Sequence, residues 1–251
     1  MLIAFAGAGN MARALVLGLA ERDSGRLEER ARFSDGGSGR AAALAAEVGG
    51  HAVRNGELAG ADVLVLAHKP AQLDTVAREI GEARVVLSLL GRVTVAELQA
   101  AYPGAEVVRA MPNTAVEVRR GVTCVCGASV PAVESLLGRV GSVVRLAERL
   151  MDAATAVSGV APAYVALIAE AWVDAAVGQG IPAPQAAELV ADSLAGSAAL
   201  LLAHHMDTLG VRRAVTSPGG MTARGLRALE QAGLRAAFSD AAAAVVGPVA
   251  K

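Results

Sequence analysis

The sequence of 251 residues is poor in aromatic residues, cysteine and lysine, and it has no long uninterrupted apolar run. With one Trp, two Tyr, three Phe and a net charge of −1, it offers no basic, aromatic surface of the kind that binds nucleic acid. Although 54% of the residues are hydrophobic, glycines and charged residues interrupt every apolar stretch before about 18 residues. We therefore expect neither a nucleic-acid partner nor a membrane partner.

Cysteine and histidine are too few and too poorly spaced to indicate a metal site. Cys124 and Cys126 lie in one predicted strand, and we expect their side chains to point to opposite faces, which excludes a disulfide or a shared metal. His204 and His205 are adjacent and diverge around a predicted helix. The N-terminus lacks the positively charged segment of a signal peptide, so we expect a reducing, cytoplasmic location.

The first part of the chain, residues 1–148, alternates short apolar runs with helical stretches. Strands are predicted over residues 2–6, 31–34, 62–67, 84–89, 106–109 and 122–126. Helices are predicted between them, over residues 10–22, 39–48 and 71–80 and after a capping box at Thr94 and Glu97. This alternation is typical of an α/β domain with a mostly parallel sheet.

From about Leu150 the strand pattern disappears. Helices are predicted over residues 151–180, with a break near Ser158-Gly159, and over residues 184–206, 221–231 and 234–246. These helices are rich in alanine on nearly every face, and helices that are apolar all round must be buried. About 100 residues cannot bury so much surface within themselves, so we expect this all-α part to pack against a second copy of the chain.

A glycine-rich turn joins the first predicted strand to the first predicted helix. The segment from Gly7 to Ala12 fits the G-x-G-x-x-G/A pattern of dinucleotide-binding turns. Gly7 permits the tight turn, and Gly9 lets the backbone approach a pyrophosphate, which the free N–H groups at the helix start can bind. A glycine-rich turn without a ligand is the alternative, but its place in a βαβ unit favours a dinucleotide.

The residues after the second strand should select the dinucleotide. A carboxylate such as Asp35 binds the ribose hydroxyls of NAD, whereas Ser34, Ser38 and Arg40 could accommodate the 2′-phosphate of NADP. We predict NADPH as the cofactor, with NADH as the alternative and with Arg40 as a solvated helix residue in that case.

A second glycine-rich loop precedes a helix in the all-α part. Ser217 can cap this helix, and the backbone N–H groups of Gly219 and Gly220 are suited to bind a carboxylate. Thr222 would add a hydroxyl group to the same rim. The alternative is an ordinary helix start, for which Ser-Pro-Gly-Gly is also common.

These segments, with three others, identify a resemblance to the pyrroline-5-carboxylate reductase family that extends over the whole chain. The five matching segments are Ala6 to Ala12, Lys69-Pro70 with Gln72, Arg109 to Thr114, Ser158-Gly159 with Pro162 to Tyr164, and Thr216 to Thr222. The resemblance implies NAD(P)H-dependent reduction of 1-pyrroline-5-carboxylate to L-proline, the last step of proline biosynthesis. It also implies a Rossmann domain at residues 1–148, a helical dimerisation and substrate-binding domain at residues 149–251, and a homodimer or a pentamer of dimers.

The resemblance also implies roles for individual positions. The pyrophosphate would be held by Gly7, Gly9, Asn10 and Met11. The nicotinamide and its ribose would lie against Ala67, His68, Lys69, Pro70, Met111 and Asn113. The substrate would be bound by Ser217, Gly219, Gly220 and Thr222, and Thr222 would act as the catalytic residue that hydrogen-bonds the ring nitrogen. The structural alternatives are a surface role for Lys69, a turn role for Asn113 and a helix cap for Thr222.

The chain departs from the family pattern at three positions. Val160 and Ala161 stand where the family has Ser and Gly, and His68 stands where a small apolar residue is usual. Such changes could alter the substrate range. A related two-domain reductase acting on another cyclic imine or on a hydroxy acid therefore remains an alternative, as does a non-catalytic dinucleotide-binding regulator.

Overall fold

The computed structural model describes residues 1–20, 27 and 30–246, and its first part is an eight-stranded sheet covered by helices. The strand order is β3-β2-β1-β4-β5-β6-β7-β8, and only the β6–β7 pair is antiparallel. The strands are β1 (Leu2–Ala6), β2 (Arg30–Ser34), β3 (His51–Ala52), β4 (Val63–Leu66), β5 (Val85–Ser88), β6 (Glu106–Pro112), β7 (Gly121–Gly127) and β8 (Gly141–Arg145). The predicted fold class, a mostly parallel α/β sheet domain followed by helices, is confirmed.

The helices of this part lie between the strands in the chain. They are α1 (Asn10–Leu19), α2 (Arg40–Val48), α3 (Leu73–Ile80), α4 (Val95–Ala101) and α5 (Pro131–Gly138). The last two residues of the helix predicted over 10–22 lie outside the described residues. The C-terminal carbonyl groups of α1 accept hydrogen bonds from two arginines, since Arg119 donates to Gly18 and Ala20, and Arg139 donates to Leu19. These guanidinium groups donate to the last carbonyl groups of the helix, which have no intrahelical donor.

Two strands, β3 and β8, were not predicted from the sequence. Both residues of β3 are exposed, and β8 is exposed or half-buried along its length, so neither has the apolar run that marks a buried parallel strand. The other six strands lie where the sequence predicts them, with β6 extending three residues further, to Pro112. β3 and β8 are strands because they pair with a neighbouring strand, and pairing leaves no apolar pattern in the sequence.

The side chains of the central strands alternate between two hydrophobic layers. On β1, Ile3 and Phe5 face the layer that contains α1 and α2, whereas Ala4 and Ala6 face the layer that contains α3 and Leu98 of α4. Phe5 stacks on Phe33 of β2, with their ring centroids 5.2 Å apart. Because both faces of the sheet are covered, β1, β4 and β5 are buried along almost their whole length, as parallel strands usually are.

Both cysteines lie on β7, and the expectation that they point to opposite faces is wrong. Residues two apart on a strand share a face, and Cys124 and Cys126 both pack against Met151. Both thiols are free and buried. Burial is also the main reason why the pKa of Cys126 is raised.

A buried arginine on β6 holds the segment that follows the sheet. The side chain of Arg109 is 4% exposed, and its guanidinium lies 3.2 Å from Glu148 Oε1 and 3.4 Å from Asp152 Oδ1. Glu148 Oε1 also accepts a hydrogen bond of 2.7 Å from the backbone N–H of Val95, at the start of α4. These contacts attach the beginning of the helical part to the edge where β6 and α4 meet.

Contacts divide the chain into two units, Met1–Pro162 and Ala163–Lys251. The helices from Leu150 onward are α6 (Met151–Ala154), a π-helical turn (Thr155–Gly159), α7 (Ala161–Gly178), α8 (Ala183–Ala203), α9 (Thr208–Ala214), α10 (Met221–Gln231) and α11 (Leu234–Val246). The predicted break falls at the π-helical turn, and the short helix α9 was not predicted. The domain boundary between residues 148 and 149 stays a prediction.

The second unit has almost no core of its own. Among its described residues, 163–246, only Ala186 and Val190 are buried. Large apolar side chains remain exposed along the helices, for example Leu167, Trp172 and Leu202. Two helical stretches, Glu148–Gly178 and Ala183–Ala203, satisfy the length and hydropathy of a membrane-spanning helix, a test that the core helices of proteins outside membranes also satisfy.

Replacing Gly18 of α1 with alanine should destabilise the first unit. A Cβ atom at this position would overlap the backbone carbonyl of Val116, which cannot move without shifting the turn at Thr114–Val118. We expect Gly18→Ala to lower the free energy of unfolding by about 1–3 kcal/mol, measured by urea denaturation. The matched control is Gly138→Ala in α5, where a Cβ atom meets nothing within 4 Å. That control should leave stability unchanged or raise it by up to ~1 kcal/mol, and an equal loss in both variants would contradict the packing argument.

Candidate active site

A crevice opens at the carboxyl ends of β1, β2 and β4, where the strand order reverses. Open parallel sheets bind ligands at this point because the loops of neighbouring strands diverge there. The crevice contains a cavity of about 300 Å³. Its lining residues are Ala6, Gly7, Ala8, Gly9, Asp35, Gly36, Ser38, Arg40, Asn55, Ala67, His68, Lys69, Gln72 and Val76. Eight of the predicted cofactor residues are thus brought together, namely Gly7, Gly9, Asp35, Ser38, Arg40, Ala67, His68 and Lys69.

The glycine turn forms the floor of this crevice. Gly7 has a φ of +109°, and a Cβ atom there would lie 2.5 Å from the backbone carbonyl carbon and oxygen of Ala67. Glycine is therefore required at position 7 both by backbone conformation and by space. Gly9 has an ordinary φ of −78° and is the N-cap of α1, so its neighbourhood would tolerate a side chain in the absence of ligand.

Asp35 organises the loop that carries Arg40. Its carboxylate accepts hydrogen bonds from the backbone N–H groups of Gly37 (2.8 Å) and Ala41 (2.9 Å) and from the Ser38 hydroxyl (2.9 Å). These bonds, that from Ala41 above all, lower the pKa of Asp35. Both carboxylate oxygens are thus engaged by the loop and by the start of α2, while the Arg40 side chain lines the cavity.

Ser34 lies behind the crevice wall rather than in it. It is fully buried, and its hydroxyl donates a 2.5 Å hydrogen bond to Asn55 Oδ1. Asn55 in turn donates to Glu79 Oε2 over 2.6 Å and lines the cavity. The sequence analysis missed Asn55, which follows the short strand β3 and has no motif or hydrophobic pattern around it. A direct contact of Ser34 with the cofactor stays a prediction.

His68 and Lys69 form the wall opposite the loop of Asp35. The imidazole Nδ1 of His68 lies 2.9 Å from the backbone carbonyl oxygen of Lys69. Its Nε2 is buried and has no hydrogen-bond partner among the described residues. Burial lowers the pKa of His68 below its usual range. Lys69 itself is exposed, and its backbone N–H donates to Gln72 Oε1 over 3.3 Å at the start of the turn Pro70–Gln72.

The remaining predicted cofactor residues do not line the cavity. Asn10 and Met11 lie in the first turn of α1, and Pro70 is exposed beyond Lys69. Met111 is half-buried on β6. Asn113 is buried and joins two segments, because its Nδ2 donates to the Ser158 carbonyl (3.1 Å) and its Oδ1 accepts from the Val122 N–H (3.3 Å). Their contacts with a cofactor stay predictions.

The loop before α10 belongs to the second unit. Gly219 has a φ of +69°, and Gly220 is the N-cap of α10, with its N–H bonded to the Ser217 carbonyl over 3.0 Å. No side-chain hydrogen bond caps the helix, so the expectation that Ser217 is its cap is wrong. Thr222 lies in the first turn of α10 and is exposed within this chain. The hydroxyl groups of Ser217 and Thr222 therefore belong to the rim of one helix start.

The residues of the crevice fit a dinucleotide. The turn has no Cβ atom at Gly7, and Gly9 opens a helix whose free N–H groups and positive end suit a pyrophosphate. Arg40 and Lys69 add positive charge to the cavity wall. His68 Nε2 adds a buried polar atom that the part of the chain described by the structure leaves without a hydrogen-bond partner.

Family models match both parts of the chain. Residues 148–248 match the model described as pyrroline-5-carboxylate reductase dimerisation. Residues 2–91 match the model described as NADP oxidoreductase, coenzyme F420-dependent. The first match covers α7 to α11, and the second covers the strands and turns that form the crevice.

Individual proteins match over nearly the whole chain. The pyrroline-5-carboxylate reductase of Thermus thermophilus is 34% identical over 249 residues, which is 96% of this chain and 94% of that protein. The solved structure of a pyrroline-5-carboxylate reductase from Coxiella burnetii aligns with a TM-score of 0.82 at 31% identity, covering 97% of this chain and 95% of the other. The pyrroline carboxylate reductase of Plasmodium falciparum, solved with NADP bound, aligns with a TM-score of 0.85 at 25% identity, covering 98% and 95% of the two chains.

Replacing Gly9 with alanine should weaken cofactor binding without destabilising the fold. A Cβ atom at Gly9 comes no closer than 4.0 Å to the protein, at the Ala67 carbonyl oxygen, but it would stand where a pyrophosphate approaches the turn. We expect Gly9→Ala to weaken binding of NADPH by at least about tenfold, while the melting temperature changes by only ~2–3 °C. Isothermal titration calorimetry and thermal unfolding measure the two effects.

The comparison variant is Gly7→Ala, in which the added Cβ atom meets the backbone of Ala67. This variant should lose stability as well as binding. Unchanged NADPH affinity in Gly9→Ala would show that the turn does not contact the pyrophosphate.

Proposed function

The chain belongs to the pyrroline-5-carboxylate reductase family, and we propose that it reduces 1-pyrroline-5-carboxylate to L-proline with a reduced nicotinamide dinucleotide. The observation that carries this proposal is a crevice at the switch point of the sheet whose lining residues fit a dinucleotide, in a chain that matches reductases of this family over nearly its whole length. The assigned place in metabolism is the last step of proline biosynthesis.

The protein's part in this reaction is to bind and orient the substrate. When bound, the nicotinamide supplies a hydride to the imine carbon, and no covalent bond to the protein is needed. The loop at Gly219 and Gly220 holds the substrate carboxylate at the positive end of α10, with Ser217 beside it. Because the Gly220 N–H is bonded to the Ser217 carbonyl, the donors are the Gly219 N–H and the N–H groups of the first turn of α10. The Thr222 hydroxyl accepts a hydrogen bond from the protonated ring nitrogen and so orients the iminium form, which accepts hydride more readily than the neutral imine.

Removing the Thr222 hydroxyl should slow turnover without affecting cofactor binding. We expect Thr222→Ala to lower kcat/KM for 1-pyrroline-5-carboxylate by about 10- to 100-fold, because the nitrogen loses its positioning hydrogen bond. The rate is followed by loss of the reduced nicotinamide absorbance. Thr222→Ser keeps the hydroxyl and should retain most of the activity, and NADPH affinity should be the same in both variants.

Full turnover in Thr222→Ala would remove this residue from the mechanism. An absence of turnover in the folded, NADPH-binding wild-type protein would contradict the proposed substrate. Other cyclic imines would then be tested, because Val160 and Ala161 stand in place of Ser and Gly of the family pattern.

We further propose that NADPH is preferred to NADH. The carboxylate of Asp35, which would bind the ribose hydroxyls of NADH, is already engaged by Gly37, Ser38 and Ala41. Arg40, at the start of α2, lines the same cavity, where its guanidinium can pair with a 2′-phosphate. The carboxylate of this loop is thus engaged within the loop, while Arg40 is available to a phosphate.

Replacing Arg40 should therefore weaken the binding of NADPH more than the binding of NADH. We expect Arg40→Ala to raise the Kd for NADPH by about tenfold or more and to leave the Kd for NADH within about twofold, because only NADPH carries the 2′-phosphate. Calorimetric titration of both cofactors gives the ratio. Arg84→Ala removes the same charge from an exposed position outside the cavity and serves as the control. Equal losses for NADPH and NADH in Arg40→Ala would contradict the assignment.

The helical part forms a homodimer in this proposal. The exposed apolar faces of α7 and α8 require a covering surface, and the dimerisation family match extends over both helices. We propose that the helices of a second subunit, and not lipid, provide that surface, and that the dimers assemble further into a pentamer of dimers. A cytoplasmic location accords with the two free thiols and with a substrate and cofactor that are both small and water-soluble.

A further inference from the structure

His68 is a cavity residue whose imidazole has no stated role in the proposed function. It follows β4 at the point where β1 and β4 lie side by side, and its backbone touches the Gly7 turn. A small apolar side chain would complete the wall at this position. The imidazole places two ring nitrogens there instead, and the two have different surroundings.

The tautomer of His68 is set by its neighbour in the chain. The Lys69 carbonyl oxygen lies 2.9 Å from Nδ1 and can only accept a hydrogen bond, so Nδ1 carries the hydrogen. In the neutral ring, Nε2 is then an acceptor with a free lone pair. Burial lowers the pKa of His68, which makes this neutral form the dominant one at neutral pH.

No described residue donates a hydrogen bond to this acceptor. Nε2 is buried without a partner among the described residues. Two polar side chains of the same cavity are engaged elsewhere, since the Ser38 hydroxyl donates to Asp35 and the Asn55 amide donates to Glu79. A buried acceptor without a donor is costly, and such an atom in a ligand cavity indicates that the ligand supplies the donor.

We propose that His68 Nε2 accepts a hydrogen bond from a ribose hydroxyl or from the carboxamide N–H of the bound dinucleotide. These groups are the donors that the nicotinamide half of the cofactor carries. Its phosphates carry no hydrogen at neutral pH and cannot pair with a bare Nε2. His68 is in this sense a cofactor-binding residue that works in its neutral form, and the inference rests on dinucleotide binding in the crevice.

Other charged groups lie in or beside the cavity. Asp35, from the loop after β2, has a pKa lowered by its hydrogen bonds to the loop, that from Ala41 above all. Arg40, at the start of α2, and Lys69, after β4, are the cationic residues of the lining. Glu79 of α3 is outside the cavity lining and is bonded to Asn55. The ligand's 2′-phosphate titrates near pH 6, but it does so equally with every variant of the protein.

The test is the pH dependence of NADP⁺ binding to three proteins, measured by calorimetry from about pH 8 to about pH 5. The proteins are the wild type, His68→Phe, which keeps a planar ring without an acceptor, and His68→Gln, which keeps an acceptor that does not titrate. At about pH 8 we expect His68→Phe to bind about three- to tenfold more weakly than the wild type, and His68→Gln to bind nearly as well. As the pH falls through the pKa of His68, the wild-type advantage over His68→Phe should disappear, because the protonated Nε2 can no longer accept.

Two results would overturn the inference. If the wild-type advantage grew as the pH fell, protonated His68 would be pairing with a phosphate. If all three proteins bound equally at every pH, the imidazole would only fill space. Failure of the wild type to bind NADP⁺ at all would contradict the proposed function instead, and thermal unfolding at each pH shows that the three proteins are folded.

A second ligand identifies the donor. The 2′-phosphate of ADP-ribose keeps the ribose hydroxyls but lacks the nicotinamide. A His68→Phe penalty that persists with this ligand assigns the bond to a ribose hydroxyl, and a penalty that appears only with NADP⁺ assigns it to the carboxamide. The nitrogen chemical shifts of His68, assigned by their absence in His68→Gln, report independently whether Nδ1 carries the hydrogen.

Discussion

The contact between the Gly7 turn and the backbone of Ala67 and His68 is the constraint on which the crevice depends. Because β1 and β4 are neighbours, the loops that follow them would collide if residue 7 carried a side chain. The positive φ of Gly7 lets the chain turn directly from β1 towards α1. This turn places three segments around one cavity, namely the start of α1, the Asp35 loop and the His68 wall. Because Gly7 has no Cβ atom, these segments, which are far apart in the sequence, can lie close together.

The second organising feature is a set of ion pairs and hydrogen bonds that links the sheet to the first helical turns after it. Arg109 is buried on β6, and its partners Glu148 and Asp152 belong to the first turns after the sheet. Asn113 makes a similar link from the end of β6 to the Ser158 carbonyl in the π-helical turn. A buried guanidinium specifies partners at defined distances, which apolar packing does not. These links explain why residues up to Pro162 remain part of the first unit by their contacts, although the dimerisation family match begins at residue 148.

The parts of the molecule that the sequence predicts are those with a local signal. Buried parallel strands such as β1 and β4 are continuous apolar runs, and the turn after β1 has a spacing that follows from the geometry of phosphate binding. The edge strand β3, the exposed strand β8 and the short helix α9 have no such signal. Asn55 follows β3, which pairs with β2, and the hydrogen bonds that engage the Asp35 carboxylate depend on the loop conformation around Gly37. The sequence shows which residues are polar, but the fold decides which of them remain available to a ligand.

The helices between residues 163 and 246 bury very few of their own side chains, and this affects their stability in solution. With only Ala186 and Val190 buried, these helices gain little free energy from contacts within one chain. If a second subunit covers them, as proposed, their stability obeys mass action and depends on the concentration of the protein itself. Dilution would then act as a denaturant on this half while leaving the nucleotide domain folded, and the amount of enzyme present would set how much of it is competent.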